Sequence, residues 1–265
     1  VAITFDEAYA NLLENAAPRL AARGWPFTVF VSTEPIGQRG YLTWSDLREV
    51  IRMGGEVGNH TVSHAHLPRR LDGESKDAWR TRVEAEIDLA SDAIETRLGV
   101  TPTLFAYPYG EYSSDVQSMV ITKGLTAFGQ QSGAAGASSD FSVLPRFSLS
   151  GPYGKDLAGF ATKAATLPLP ITGPLPDPVV GAGETRPTLS LRFEDGFDPG
   201  RLACFGPGGR MNISMENGRA MIRPTQDLPA GRTRYNCTTP AGNGRYRWFS
   251  QLWIVPTAEG GWDPE

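Results

Sequence analysis

The chain has 265 residues, with 25 Lys and Arg against 29 Asp and Glu, a formal charge of −4 and a pI near 5.5. That balance excludes the basic stripe with which nucleic-acid binders neutralise phosphates, and no run of about 18 apolar residues is present to serve as a membrane-spanning helix. Hydrophobic residues make up 40%, enough for a sizeable core, while 30 Gly and 21 Pro predict many turns and a β-rich part.

From Val1 to about Thr166 apolar runs alternate with amphipathic helical stretches. Val1 to Phe5 and Phe27 to Val31 read as strands, separated by a helix at about Leu12 to Arg23 that stops at Gly24. Thr43 to Met53 is a helix opened by a Ser/Thr-type cap with an acid three residues on, Asp46, and closed at Gly54 and Gly55. The longest helix starts at Ser75. Trp79, Val83, Ile87, Ala90, Ile94 and Leu98 recur every three or four residues, with Gly99 as the C-terminal stop and Pro102 beyond it. A strand at Leu104 to Tyr107, a helix at about Ser113 to Lys123, strands near Leu125 to Phe128 and Val143 to Leu149, and a helix at about Lys155 to Thr166 follow. Repeated β-α alternation predicts an α/β domain over 1–166 with a mainly parallel sheet, curling into an incomplete or distorted barrel.

Leu167 to Pro187 holds Pro168, Pro170, Pro174, Pro176, Pro178 and Pro187, which predicts an extended linker. Beyond it no helical period survives, and Asn217-Gly218 and Asn243-Gly244 sit where type I′ hairpin turns belong, so 188–265 reads as a small all-β, sandwich-like domain. Every basic residue of that domain is Arg, which suits planar contacts to the first domain, sugars or carboxylates, or reflects genomic composition. Tyr235, Tyr246, Trp248, Phe249 and Trp253 alternate with polar residues as in half-buried strands, and are expected in its core, with stacking on sugar rings or on the first domain as the alternative. Cys204 and Cys237 are either two buried thiols or one disulfide, the second if the chain works outside the cytoplasm. Because Val1 already reads as part of a strand, the chain is expected to be a processed or trimmed product.

Three segments put polar groups at the C-terminal ends of predicted strands: Ile3-Thr4-Phe5-Asp6-Glu7, Val57-Gly58-Asn59-His60-Thr61-Val62-Ser63-His64 and Phe105-Ala106-Tyr107-Pro108-Tyr109-Gly110. In parallel α/β barrels that edge carries the ligands. His60 and His64 can face one ion, a carboxylate from another strand would complete a three-ligand site, and zinc suits that donor set best. The three histidines of the chain, His60, His64 and His66, all fall in this one segment, and His66 is expected to be structural. Asp6 and Glu7 read either as one ligand plus one proton acceptor or as a helix cap with an acidic first turn.

These motifs in this order resemble the polysaccharide deacetylase family, whose NodB-homology domain carries T-F-D-D, H-[ST]-x-x-H and R-x-P-Y-G, and the likeness covers roughly residues 1–160. The resemblance implies a distorted (β/α) barrel that holds a divalent metal, usually zinc, and removes acetyl groups from N-acetylglucosamine polymers or from O-acetylated glycans. Asp6 is then the general base. Glu7, His60 and His64 are the metal ligands, the backbone N–H of Tyr109 faces the developing oxyanion, and Tyr107, Pro108 and Tyr109 are expected to contact the polysaccharide or oligosaccharide substrate. The chain departs from the family in four ways: Glu7 replaces Asp, Ala106 replaces the motif's Arg, no Asp-Trp motif follows the third segment, and no His occurs after His66 to protonate the leaving group. Arg146 resembles the arrangement in the exopolysaccharide (poly-N-acetylglucosamine) deacetylase branch and is expected to partner Asp6. The resemblance implies an extracytoplasmic, periplasmic or secreted, enzyme. The competing expectations are a deacetylase-like protein that binds acetylated glycans without turnover, and a structural envelope protein that has lost the metal.

Overall fold

Short extended segments rich in β-branched and aromatic residues lie side by side, in chain order, through the first half of the protein. β1 (Thr4–Asp6), β2 (Phe27–Val31), β3 (Gly55–Asn59), β4 (Leu104–Ala106) and β5 (Thr126–Phe128) form one sheet in that order, every neighbouring pair parallel. Parallel neighbours need a crossover. It is supplied in turn by α1 (Ala17–Ala21), α2 (Trp44–Arg52), α3 (Lys76–Leu98) and α4 (Ser114–Thr122). The sheet curls into a half-barrel, the incomplete barrel expected from the β-α alternation. The structure, a computed structural model, describes residues 1–262.

Local chemistry sets the helix ends. Thr43 and Asp46 form a reciprocal capping box on α2, Asp46 N to Thr43 Oγ1 at 3.2 Å and Thr43 N to Asp46 Oδ2 at 2.8 Å. Ser75 caps α3, and Gly99 closes it in the left-handed conformation at φ 72°. The apolar stripe of α3, from Trp79 to Ile94, is buried as its spacing predicts. On the strands, Gly58 admits no side chain, because a Cβ there would lie 2.6 Å from the Phe30 ring and 3.0 Å from the Leu104 carbonyl oxygen.

Three elements differ from expectation. β1 starts at Thr4 and Val1 is exposed. The helix after it opens with a wide turn at Leu12–Ala16 before α1. Residues 143–149 form no strand: Gly129 N donates to the Leu144 carbonyl at 2.9 Å and Arg146 N to the Gln131 carbonyl at 3.0 Å, but Pro145 between them has no N–H to continue a ladder.

Two compact units divide the chain: Val1–Gly110 with Asp115–Phe128 and Phe141–Val143, and Glu111–Ser114 with Gly129–Asp140 and Leu144–Glu265. In the second unit α5 (Leu157–Ala164) precedes β6 (Leu167–Pro168), β7 (Ile171–Thr172), β8 (Leu189–Phe193), β9 (Ala203–Gly206), β10 (Gly209–Arg210), β11 (Asn212–Glu216), β12 (Arg219–Arg223), β13 (Gly231–Gly242) and β14 (Arg245–Val255). Two sheets result, ordered β10-β9-β13-β14-β6 and β11-β12-β8-β7. Both feed one core that includes Leu189, Ile222, Tyr235 and Trp253. Within the proline-rich stretch β6 and β7 are edge strands, on β14 and β8 respectively. Prolines suit that position, since an edge strand leaves one row of N–H groups unused. Both Asn-Gly pairs have positive φ at both residues, 51° and 74°, then 50° and 71°, as a type I′ turn requires. Cys204 and Cys237 face each other across β9 and β13 and are joined as a disulfide.

Four arginines of this unit have partners inside it. Arg234 donates to the Gln130 carbonyl, Arg245 to that of Ala165 and Arg247 to that of Pro168, while Arg232 lies 3.4 Å from the buried Glu111.

Candidate functional site

Because the five strands of the first sheet run parallel, Asp6, Asn59 and Ala106 end β1, β3 and β4 on the same edge, and the three motif segments leave from there. Among the described residues seven non-glycine residues have positive φ; four belong to these segments, Glu7 (71°), Thr61 (70°), His64 (60°) and Tyr109 (58°), and a fifth, Ala8 (55°), follows directly on the first. Such a conformation costs an L-residue about 1–3 kcal/mol and persists only where surrounding contacts over-determine it.

Those contacts are visible. The Glu7 N–H donates to the Phe30 carbonyl at 2.9 Å. Asn59 is fully buried; its Nδ2 donates to Ile87 O and Ser91 Oγ on α3, each at 2.8 Å, and its Oδ1 accepts the Thr61 N–H at 2.7 Å. Glu86 of α3 holds the rest of the histidine loop, with Oε2 accepting the N–H groups of Val62 and Ser63 at 3.0 and 2.9 Å and Oε1 accepting the Ser63 hydroxyl at 2.7 Å. The buried Ser32 hydroxyl donates to the His60 carbonyl at 2.9 Å.

The segments border an open cavity of about 360 Å³ lined by Glu7, Ser32, Glu34, Pro35, Gln38, Tyr41, Ser63, His64 and Tyr109. His60 is buried beside it, its ring centroid 4.8 Å from that of His64. His60 Nδ1 stands 2.7 Å from the Ala106 carbonyl oxygen. A carbonyl only accepts, so the proton is on Nδ1 and the lone pair on Nε2. Burial first, and the proximity of His60, beside which a second protonated imidazole is disfavoured, lower the His64 pKa from 6.5 to about 4, against the opposing pull of Glu7 and Asp6. His64 is therefore neutral at pH 7 and offers a lone pair. Glu7 Oε1 lies 3.7 Å from His64 Nε2, and Glu7 Oε2 accepts the Tyr9 hydroxyl. That hydrogen bond, with burial second, holds the Tyr9 phenol well above its ordinary pKa.

Among the described residues no three His, Cys, Asp or Glu side chains are already gathered into a group that could hold a metal ion. The donors themselves suit one. Two donors about 2.1 Å from a tetrahedral ion are about 3.4 Å apart, close to the 3.7 Å between Glu7 Oε1 and His64 Nε2. His60 also has the carbonyl contact on its far nitrogen that metal-ligating histidines usually make.

Asp6 ends β1 in register with Phe30. Of the residues expected to touch substrate, Tyr109 lines the cavity. Tyr107 and Pro108 are buried, and the Tyr107 hydroxyl donates to the Ser142 carbonyl at 2.8 Å, so these two side chains belong to the core. Arg146 lies in the second unit, where its Nε donates to the Gly129 carbonyl at 2.8 Å. His66 stacks on Tyr109, ring centroids 3.8 Å apart and planes 5° from parallel. The sequence assigns no role to Tyr9 or Glu86, and includes Asn59 in the second motif segment without a role of its own. For Asn59 the available signal was a polar residue closing a strand; Tyr9 and Glu86 carry none that separates them from surface residues.

Residues 1–128 match the family model for polysaccharide deacetylase, and the N-terminal domain is a polysaccharide deacetylase domain. The chain is 25% identical to YxkH of Bacillus subtilis, a protein bearing the same family name, over 43% of this chain and 38% of that one. It is 23% identical to the poly-β-1,6-N-acetyl-D-glucosamine N-deacetylase of Escherichia coli, over 42% of this chain and 22% of that one. The chain thus spans less than half the length of these curated relatives. The fold is shared with the Streptococcus pyogenes deacetylase PplD, at a TM-score of 0.50 and 23% identity over 56% of this chain and 63% of that one.

Proposed function

We propose that the chain is a metal-dependent hydrolase that removes acetyl groups from a carbohydrate polymer. The observation that carries the reading is the meeting of Glu7, His64 and Tyr109 on one cavity, with His60 beside it in the Nδ1–H tautomer. Glu7, His60 and His64 would hold the cation, zinc by the mixture of nitrogen and carboxylate donors, and it would supply Lewis acidity and a more acidic water. Asp6 accepts the proton of the water that attacks the acetyl carbonyl. The Tyr109 backbone N–H, presented from its left-handed conformation, donates to the oxygen on which negative charge develops. Tyr109 and Tyr41 offer aromatic surface to sugar rings.

No histidine follows His66 to protonate the departing group. An alkoxide leaves more readily than an unprotonated amine, which supports O-acetyl esters beside the N-acetylglucosamine polymers that the name of the Escherichia coli relative suggests. The Cys204–Cys237 disulfide supports an extracytoplasmic location. Because the three expected ligands are not drawn together as a closed group, the second reading is a glycan-binding protein without turnover.

Acetate release from acetylated glucosamine oligomers and from O-acetylated glycans, with zinc present and Asp6→Ala as the control, separates the two. Release that Asp6→Ala abolishes is expected. Binding of the oligomers with no acetate from either class establishes the second reading instead.

A further inference from the structure

Glu7 carries one methylene more than the aspartate of the motif it resembles, so its carboxylate has one more torsion to fix before it can serve a site. One hydroxyl fixes it. Tyr9 Oη donates to Glu7 Oε2, and the other oxygen, Oε1, is the one that faces His64 Nε2 at 3.7 Å. Tyr9 is itself held. Its backbone bridges antiparallel to Tyr41, flanked by Ala10 N to Gly40 O and Leu42 N to Ala8 O, each 2.9 Å, and its ring lies 5.0 Å from that of Tyr41 at 32°. Tyr41 in turn lines the cavity. The carboxylate is therefore tied at one oxygen to the bridge that forms one wall of the site.

We propose that Tyr9 is a positioning residue that offsets the longer side chain of Glu7, occupying Oε2 so that Oε1 alone is presented to the cation beside His64. The proposal rests on the assignment of Glu7, His60 and His64 as the cation site. It makes Glu7 a one-oxygen ligand, and it explains why a glutamate can stand where the family resemblance calls for aspartate. It also requires the roles of positions 7 and 9 to be coupled: with a shorter acid at position 7 the hydroxyl has nothing to correct.

The test is a double-substitution cycle read by metal binding. Zinc affinity is measured on the metal-free protein by competition with a chromophoric chelator. The visible absorption of bound Co²⁺ reports ligand geometry, and the thermal midpoint of the metal-free protein serves as the folding control. Tyr9→Phe keeps the ring against Tyr41 and is expected to weaken zinc about 10- to 100-fold, as loss of a hydrogen bond to a ligand typically does, with altered cobalt bands and an unchanged midpoint. In a Glu7→Asp background the same change is expected to cost less than about threefold, far below that range. Equal losses in both backgrounds, or no loss in either, overturn the role given to Tyr9 while leaving the site intact. Absence of zinc uptake by the unsubstituted protein overturns the site and this role together.

Discussion

His60 Nδ1 and the carbonyl oxygen of Ala106 are 2.7 Å apart, linking the end of β3 to the end of β4. Ala106 stands where the resembling motif has an arginine, yet the group that meets His60 is backbone, so this contact survives any side chain at 106. It also locks the ring in one tautomer. Long-range ¹H–¹⁵N spectra of the metal-free protein at pH 7 are expected to show His60 protonated at Nδ1 and bare at Nε2. A spectrum with the proton on Nε2 refutes both the bond and the use of Nε2 as a donor to an ion.

Glu86 gives the second prediction. Its carboxylate gathers two backbone N–H groups and one hydroxyl from the loop between the two histidines, and bonds to a charged acceptor contribute about 1.5–3 kcal/mol each where partly shielded from water. The two bonds to Ser63 are solvent-exposed and count for less, so Glu86→Ala is expected to lower stability by roughly 2–3 kcal/mol and to speed amide exchange most at Ser63, because Val62 N also donates to the Glu86 backbone carbonyl at 3.1 Å. Glu86→Gln keeps one acceptor oxygen and costs about half as much. Unchanged exchange at both amides in Glu86→Ala would show that the loop is held by something else.

What the sequence made legible was local. The capping box of Thr43 and Asp46, the Ser75 cap and Gly99 stop of α3, and the two Asn-Gly turns are each written within a few residues, and each formed as its chemistry requires. The candidate site was legible as far as its donor types allowed, in Asp6, Glu7, His60, His64 and Tyr109. Its supports were not. Asn59 and Glu86 act on partners across 23 to 32 positions or through a loop whose shape is not local, and Tyr9 reaches Glu7 only because both lie in a turn with unusual backbone angles. The burial of Tyr107 was not legible, since the acceptor of its hydroxyl, Ser142, lies 35 residues on. Residues 143–149 misled because their apolar content outweighed the missing N–H of Pro145.

The third prediction concerns pH. Arg82 grips Glu74 with two bonds, Nε to Oε1 and Nη2 to Oε2, both 2.8 Å, and also donates to the Arg69 carbonyl. The guanidinium lowers the Glu74 pKa from 4.5 to about 2. A carboxylate whose folded pKa is depressed binds fewer protons in the folded state, so its stabilisation is full above about pH 4.5 and is lost as pH falls towards 2. Urea midpoints at pH 5, about 3.5 and 2.5 are expected to fall less steeply in Glu74→Gln than in the unsubstituted protein, other carboxylates being common to both. Identical slopes refute the assignment.

The last prediction tests the second unit. Cys204 and Cys237 are opposite one another on adjacent antiparallel strands and are fully buried. A thiolate attacks a disulfide only where it can reach the sulfur, so dithiothreitol should leave this bond intact in the native protein and cut it in denaturant. The bond closes a loop of about 34 residues, for which chain entropy gives about 3–4 kcal/mol. That is large beside the total stability of so small a β unit, and small domains often supplement their cores with disulfides. Replacing both cysteines by alanine should therefore lower the denaturant midpoint of the β strands, followed by the near-ultraviolet signal of Trp253 in their core. Alkylation without reductant decides the premise: two labelled thiols in freshly purified, denatured protein would remove the bond, and with it the strongest support for an extracytoplasmic location.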